Sequence, residues 1–208
     1  MEQSVGVPFK VLLIGGPSGV GKSMAAASLA RQLGISWLQV DDLRLALQFS
    51  GLISRKQHPE LFFFLDREDW QVSPEVYRDK LIAVARIISG ALRIVVESHI
   101  ATSVPVILEG DGIVPEFAAK IAREYDEGQV RSVFIVENDE KVLLANMLKR
   151  GRGFDASALA ERQNETRGKA LFSDWIEREA ERYGLPIVPP LPWETLPERS
   201  LSASRGNL

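Results

Sequence analysis

Nine residues, Gly15 to Ser23 in the order GGPSGVGKS, constrain this chain more than any other stretch. Gly16, Gly21, Lys22 and Ser23 satisfy the pattern G-x-x-x-x-G-K-[ST], and the residues on either side give it a context. The apolar run Val11-Leu12-Leu13-Ile14 reads as a strand, and Met24-Ala25-Ala26-Ala27-Ser28-Leu29-Ala30 reads as a helix. A strand, a glycine loop and a helix in that order make a phosphate cradle. Glycines let backbone N–H groups turn inward around an anion, and the helix adds the positive end of its dipole. Lys22 is placed to reach the β- and γ-phosphates of a nucleoside triphosphate, and the Ser23 hydroxyl to ligate the magnesium ion that bridges them. Pro17 and Gly19 stiffen and relieve the loop between.

The rest of the composition sets limits. At 208 residues with 45% hydrophobic side chains, the chain suits one α/β domain, expected over 1–199, with Ser200 to Leu208 read as a disordered tail. A net charge of −3 argues against a nucleic-acid or membrane-surface partner, which calls for a basic stripe. There is no cysteine, so thiol nucleophiles and thiolate metal sites are excluded. The absence of a leader-like N-terminus or a membrane-length apolar run gives the expectation of a cytoplasmic protein, a monomer or homodimer acting on a small molecule.

Along the chain, Ile35 to Val40 reads as a second buried strand, followed at once by Asp41 and Asp42. Carboxylates at the carboxyl end of a parallel strand lie where α/β sheets bind ligands. Asp41 is expected to face the cleft and accept the proton of a phosphoryl-acceptor hydroxyl, and Asp42 to cap the helix from Leu43. Phe62 to Phe64 and Trp70 read as core or as a pocket wall. Ser73-Pro74-Glu75 starts a long helix reaching about His99, where His99 and Glu97 read as a helix end or as substrate contacts. The strand Val104 to Leu108 ends in Glu109-Gly110-Asp111, a Walker B pattern, in which Glu109 is expected to hold magnesium and Asp111 to face substrate. A fourth strand, Val130 to Val136, leads to a helix from Asp139. The turn Lys149-Arg150-Gly151-Arg152-Gly153 is basic in an acidic chain, and it reads as a lid carrying Arg150 and Arg152 over the transferred phosphoryl group. Arg162 and Arg167, early in the next helix, read as phosphate-facing or as exposed ion-pair partners. After a fifth strand, Gly184 to Val188, the turn Pro189 to Trp193 sits where adenine is expected, with Pro192 against the base.

Five strands alternating with helices predict an α/β three-layer sandwich, a five-stranded parallel sheet flanked by helices, with a helical substrate-covering segment and an arginine-bearing lid. GGPSGVGKS, Asp41-Asp42-Leu43-Arg44 and Ile107-Leu108-Glu109-Gly110-Asp111 with Pro115 resemble the 2-phosphoglycerate kinase group of small-molecule P-loop kinases. The likeness runs from about Phe9 to Arg199, and it departs at Asp111-Gly112, where members of that group tend to carry a histidine. The resemblance implies ATP and Mg2+ as cofactors, ATP lying along Gly16, Pro17, Ser18, Gly19, Val20, Gly21, Lys22, Ser23 and Met24. It also implies Asp41 near the acceptor hydroxyl and Arg44 near the substrate's anionic group. Shikimate, gluconate, nucleoside and antibiotic kinases share this skeleton. A nucleotide-dependent regulatory switch or ATPase is the alternative from another class. No Asn-Lys-x-Asp stretch is present to read guanine as a GTPase does.

Overall fold

A computed structural model describes residues 7–125, 128–149 and 159–205. Strands β1 (Val11–Gly15), β2 (Ser36–Gln39), β3 (Val106–Glu109), β4 (Val130–Ile135) and β5 (Ile187–Val188) form one sheet in the order β2-β3-β1-β4-β5, every pair parallel. Alternation along β1 sorts the two faces. Leu12 and Ile14 pack with Ala25, Ala26 and Leu29 of α1 (Lys22–Leu33) and with Leu196 of α7 (Leu196–Ala203). Val11 and Leu13 pack the other way, with α3 (Pro74–Thr102), α4 (Pro115–Arg123) and α6 (Leu159–Arg182). Helices α2 (Val40–Phe49) and α5 (Glu140–Lys149) complete the set, lying against α3 and α6 respectively. Among the described residues no helix is long and apolar enough to cross a membrane.

The central strands β1 and β3 are buried at every residue, as continuous apolar runs in a parallel sheet should be. Strand β2 differs from its expected character. It is an edge strand, exposed at Ser36 and Leu38 and half-buried at Trp37 and Gln39, because only β3 pairs with it. Its shorter span, ending at Gln39, brings the next helix forward to Val40.

Local chemistry explains the longer helices. The Ser73 hydroxyl accepts the Val76 N–H, Pro74 holds the first helical position of α3, and Ser103 closes it in the left-handed region at φ 56°. Asp139 caps α5 by accepting from the N–H groups of Lys141 and Val142 at 2.7 and 3.4 Å. The expected disordered tail is corrected at its start. Helix α7 runs through Ala203, and Ser200 and Ser204 are almost fully buried, because small side chains let this face pack closely on α1.

Helices α3 and α6 form the largest helix–helix contact, and Gly168 marks its tightest point. A Cβ there would lie 2.6 Å from Cδ1 of Tyr77, whose ring is 2% exposed and flanked by Phe64 and Trp70. Alanine is better than glycine in a helix by about 1 kcal/mol, but overpacking a filled core costs about 1–3 kcal/mol. The clash should win. Gly168→Ala is expected to destabilise the protein by about 1–2 kcal/mol in urea unfolding. A stabilised variant would contradict the α3–α6 packing.

Candidate active site

The phosphate loop is held by contacts that only its sequence permits. Gly16 takes φ +135°, and a Cβ at that position would sit 2.1 Å from the Ile135 carbonyl oxygen, so the loop can press against β4 only as glycine. Gly21, at φ 85°, stands at the N-cap of α1. No side chain caps this helix, and its first turn holds no carboxylate, which leaves the N-terminal N–H groups aimed at the loop for an anion. Lys22 is 6% exposed and folds back so that Nζ donates to the Pro17 carbonyl at 2.8 Å. From α5, Asn146 Nδ2 donates to the Gly19 carbonyl at 3.3 Å, tying the loop to the helix that precedes the basic turn.

Ser23 Oγ donates to Glu109 Oε1 at 2.7 Å, joining the loop to the end of β3. Glu109 is 3% exposed. A divalent cation is implied by this set, and the two oxygens fit one: both are hard donors, held together at one point beside the loop. Among the described residues no group of three histidine, aspartate or glutamate side chains forms a metal site. The ion would therefore rest on Ser23, Glu109, phosphate oxygens and water, the kind of mixed shell magnesium prefers.

Beside this point lies an acidic pair. Gln39 pairs with Glu109 in the β2–β3 register, so the residues that follow each strand, Asp41 and Asp111, emerge on the same rim of the sheet. Asp41 belongs to the first turn of α2, as does Asp42, and Gln39 holds the cap position. The expected capping role of Asp42 is thus corrected. The helix starts three residues earlier, and an exposed Asp42 lies in its first turn, where it favours the dipole. The Asp41 carboxyl is pushed up from 3.8 to about 6, first by the negative charge of Asp111 and then by desolvation, with Glu109 adding to the rise; Arg44 and Lys22 oppose it. Arg44 Nη2 reaches Asp41 Oδ1 at 3.3 Å. Its Nε is buried and has no hydrogen-bond partner among the described residues, a donor that an anionic ligand would satisfy.

Sequence reasoning missed the wall formed by Tyr77 and α6. Burial raises the Tyr77 phenol well above its usual range, and the charges of Glu165 and Asp111 raise it further while Arg44 and Arg162 oppose them. The ring packs against Gly168 of α6. There Arg162 Nη1 donates to Glu165 Oε2 at 2.8 Å, and Lys169 Nζ donates to Glu165 Oε1 at 2.6 Å, with Glu165 and Lys169 both buried. The spacing 162, 165, 169 signals one helix face, but nothing in it says that the face turns inward.

Other candidates take structural places. His99 Nδ1 bonds the Val104 carbonyl at 2.8 Å at the end of α3, and Glu97 pairs with Arg93 at 2.7 Å. Phe64 packs on Trp70 and Tyr77 with ring centres 5.2 and 4.9 Å apart, placing these aromatics in the core. Arg167 is exposed and reaches Glu140 at 3.5 Å. Met24 is exposed beside the loop, and Pro192 lies in the loop after β5. Arg150 and Arg152 lie outside the described residues.

The raised Asp41 carboxyl has a consequence for stability. Between 3.8 and about 6 the folded chain binds the proton more tightly than the unfolded chain, so stability from this group is present at low pH and is lost as pH rises through about 6. Asp41→Asn removes the repulsion. The open half of the side chain, 46% exposed, screens it, so the ligand-free variant should gain on the order of 1 kcal/mol at pH 8 and nothing at pH 4. Thermal unfolding at both pH values checks this, and equal effects at the two would contradict the Asp41–Asp111 coupling.

No protein-family model and no curated protein sequence matches the chain. Solved structures do. A gluconokinase from Sinorhizobium meliloti 1021 superposes with a TM-score of 0.50 at 19% identity, over 95% of this chain and 92% of that one. An uncharacterized protein from Eubacterium ventriosum ATCC 27560 superposes with a TM-score of 0.51 at 13% identity, over 97% of this chain and 100% of that one. Together with the sheet order and the phosphate loop, these likenesses show the α/β fold expected from the sequence, a five-stranded parallel sheet flanked by helices.

Proposed function

We propose that this protein is an ATP-dependent kinase that transfers a phosphoryl group to a hydroxyl of a small anionic metabolite, 2-phosphoglycerate or one like it. The observation that carries the reading is the acidic rim. A switch needs only the phosphate loop and its metal oxygens, whereas here Asp41 and Asp111, with an unsatisfied Arg44 Nε, stand beside the loop where an acceptor would lie. The similar structure described as a gluconokinase fits the same class of reaction.

The geometry on the phosphate loop and the acidic rim supports the following roles. Lys22 leaves the Pro17 carbonyl for the β/γ-phosphates and follows the charge as it moves to the leaving oxygen. A magnesium ion would be held by Ser23 and Glu109, and would supply charge neutralisation at those phosphates. Arg44 binds the acceptor's anionic group. Asp41, ionised above about pH 6, takes the hydroxyl proton. The acceptor oxygen then bonds to the γ-phosphorus as the bond to the β-bridging oxygen breaks, and ADP leaves. Arg150 and Arg152, which lie outside the described residues, are assigned from the sequence pattern alone to neutralise the γ-phosphate and keep out water, the competing acceptor.

Two substitutions test the assignment. Asp41→Asn keeps the shape and removes the proton acceptor, so it should bind ATP normally and lose roughly 10²- to 10⁴-fold in turnover. Asp42→Asn, at an exposed position, should leave turnover within about twofold, since a surface change clear of the site costs within about 0.5 kcal/mol. Steady-state ADP release with one acceptor measures both. An active Asp41→Asn beside a crippled Asp42→Asn would reverse the roles.

A further inference from the structure

One peptide of the phosphate loop is held from outside the loop, by Asn146 of α5. The Asn146 Nδ2 donates to the Gly19 carbonyl at 3.3 Å. Gly19 takes φ +103°, and a Cβ there would meet a single atom within 4 Å, Cδ2 of Leu143 at 4.0 Å. No steric wall therefore decides which way the Gly19–Val20 peptide turns, and glycine leaves both orientations open.

The helix that carries Asn146 is anchored on both sides. Leu143, three residues earlier and on the same face, is fully buried in one apolar cluster with Val20. Met147 turns to α6, where its Sδ accepts from Thr166 Oγ1 at 3.5 Å and from Lys169 Nζ at 3.7 Å. The amide is thus offered to the loop from a fixed point.

A trans peptide carries its C=O and its N–H on opposite sides of one plane, and the Gly19–Val20 bond is trans. Holding the Gly19 carbonyl toward α5 turns the Val20 N–H away from α5. Val20 is fully buried, yet among the described residues this N–H donates to no other group. The reverse orientation would present a carbonyl oxygen in its place, which repels an anion where an N–H binds one. We propose that Asn146 is a positioning residue for the phosphate cradle, selecting the peptide orientation in which the Val20 N–H donates to a phosphate oxygen of the bound triphosphate. The inference rests on the nucleotide-binding part of the reading above, and it makes α5 a determinant of triphosphate affinity alongside the loop.

Two variants of the full chain remove the donor: Asn146→Leu keeps the side-chain volume, and Asn146→Ala favours the helix. Calorimetric titration with ATP and with tripolyphosphate, in magnesium, is read beside the Val20 amide signal in a nitrogen-15 NMR spectrum. Both variants are expected to bind both ligands about 3- to 10-fold more weakly than the native chain, the worth of one hydrogen bond. The native Val20 amide proton is expected to move downfield as tripolyphosphate binds, and to move less in the variants. A merely structural role for Asn146 would lower the urea midpoint and leave that signal alone. Native affinity in either folded variant overturns the inference, and so does a native Val20 signal that saturating tripolyphosphate does not move, a result that needs no variant to fold. In both cases native ATP binding leaves the kinase reading standing. A native chain that binds neither ligand overturns both.

Discussion

Two opposite charges buried at the carboxyl end of the central strands set the terms for the rest of this molecule. Lys22 and Glu109 are 6% and 3% exposed, and ions so far from water cost several kcal/mol each unless other groups compensate. The compensation is built from the backbone and the sheet. Lys22 lies in the carbonyl of its own loop, and Glu109 receives the Ser23 hydroxyl across the β1–β3 pair. The loop that carries them lies close against β4, where a Cβ on Gly15 or on Gly16 would clash with Phe134 or with the Ile135 carbonyl. A triphosphate with its metal ion would replace these interim partners by stronger ones, so the site is held close to the geometry it needs before any ligand arrives.

The same edge gathers negative charge at the next position outward. Asp41 and Asp111 follow adjacent strands, and their repulsion is what lifts the Asp41 carboxyl to about 6. A carboxylate poised there is a better proton acceptor than one near 4, yet still ionised at neutral pH. The cost falls on the empty protein and is relieved by cations or by loss of one charge. Arg44 supplies part of that relief from α2, and Arg162, Glu165 and Lys169 build a second charged layer behind Tyr77. Helix α6 therefore backs a candidate site whose charged groups Lys22, Asp41, Arg44, Glu109 and Asp111 lie much earlier in the sequence.

Local constraints were legible and long-range ones were not. The glycine loop between β1 and α1, the carboxylate at the end of β3, the Ser73 cap and the helix start at Asp139 each rest on a few adjacent residues, and each takes the place in the fold that the sequence predicts. Strand order is a different kind of information. Because β2 falls at the edge, Leu38 is exposed, and α2 starts at Val40, which takes Asp42 out of the cap position. The stretch from Ser200 looks like a polar tail because serines are small and uncharged, but small side chains are also what lets α7 sit close on α1. Arg162, Glu165 and Lys169 look like surface charges until Tyr77 and Gly168 show that this face of α6 packs against α3. Arg199 of α7 carries no such signal, since its partners are the carbonyls of Pro189, Pro190 and Pro192 and the hydroxyl of Thr195.

The central claim is that an acceptor hydroxyl, and not water, receives the phosphoryl group. Incubation with ATP radiolabelled at its γ-phosphate, across a panel of small hydroxylated acids and phosphorylated hydroxy acids, tests it most directly. The account predicts label in an organic phosphate for at least one acceptor, at a rate some 100-fold or more above release of inorganic phosphate. Label found only in inorganic phosphate, at a rate no acceptor changes, would contradict it.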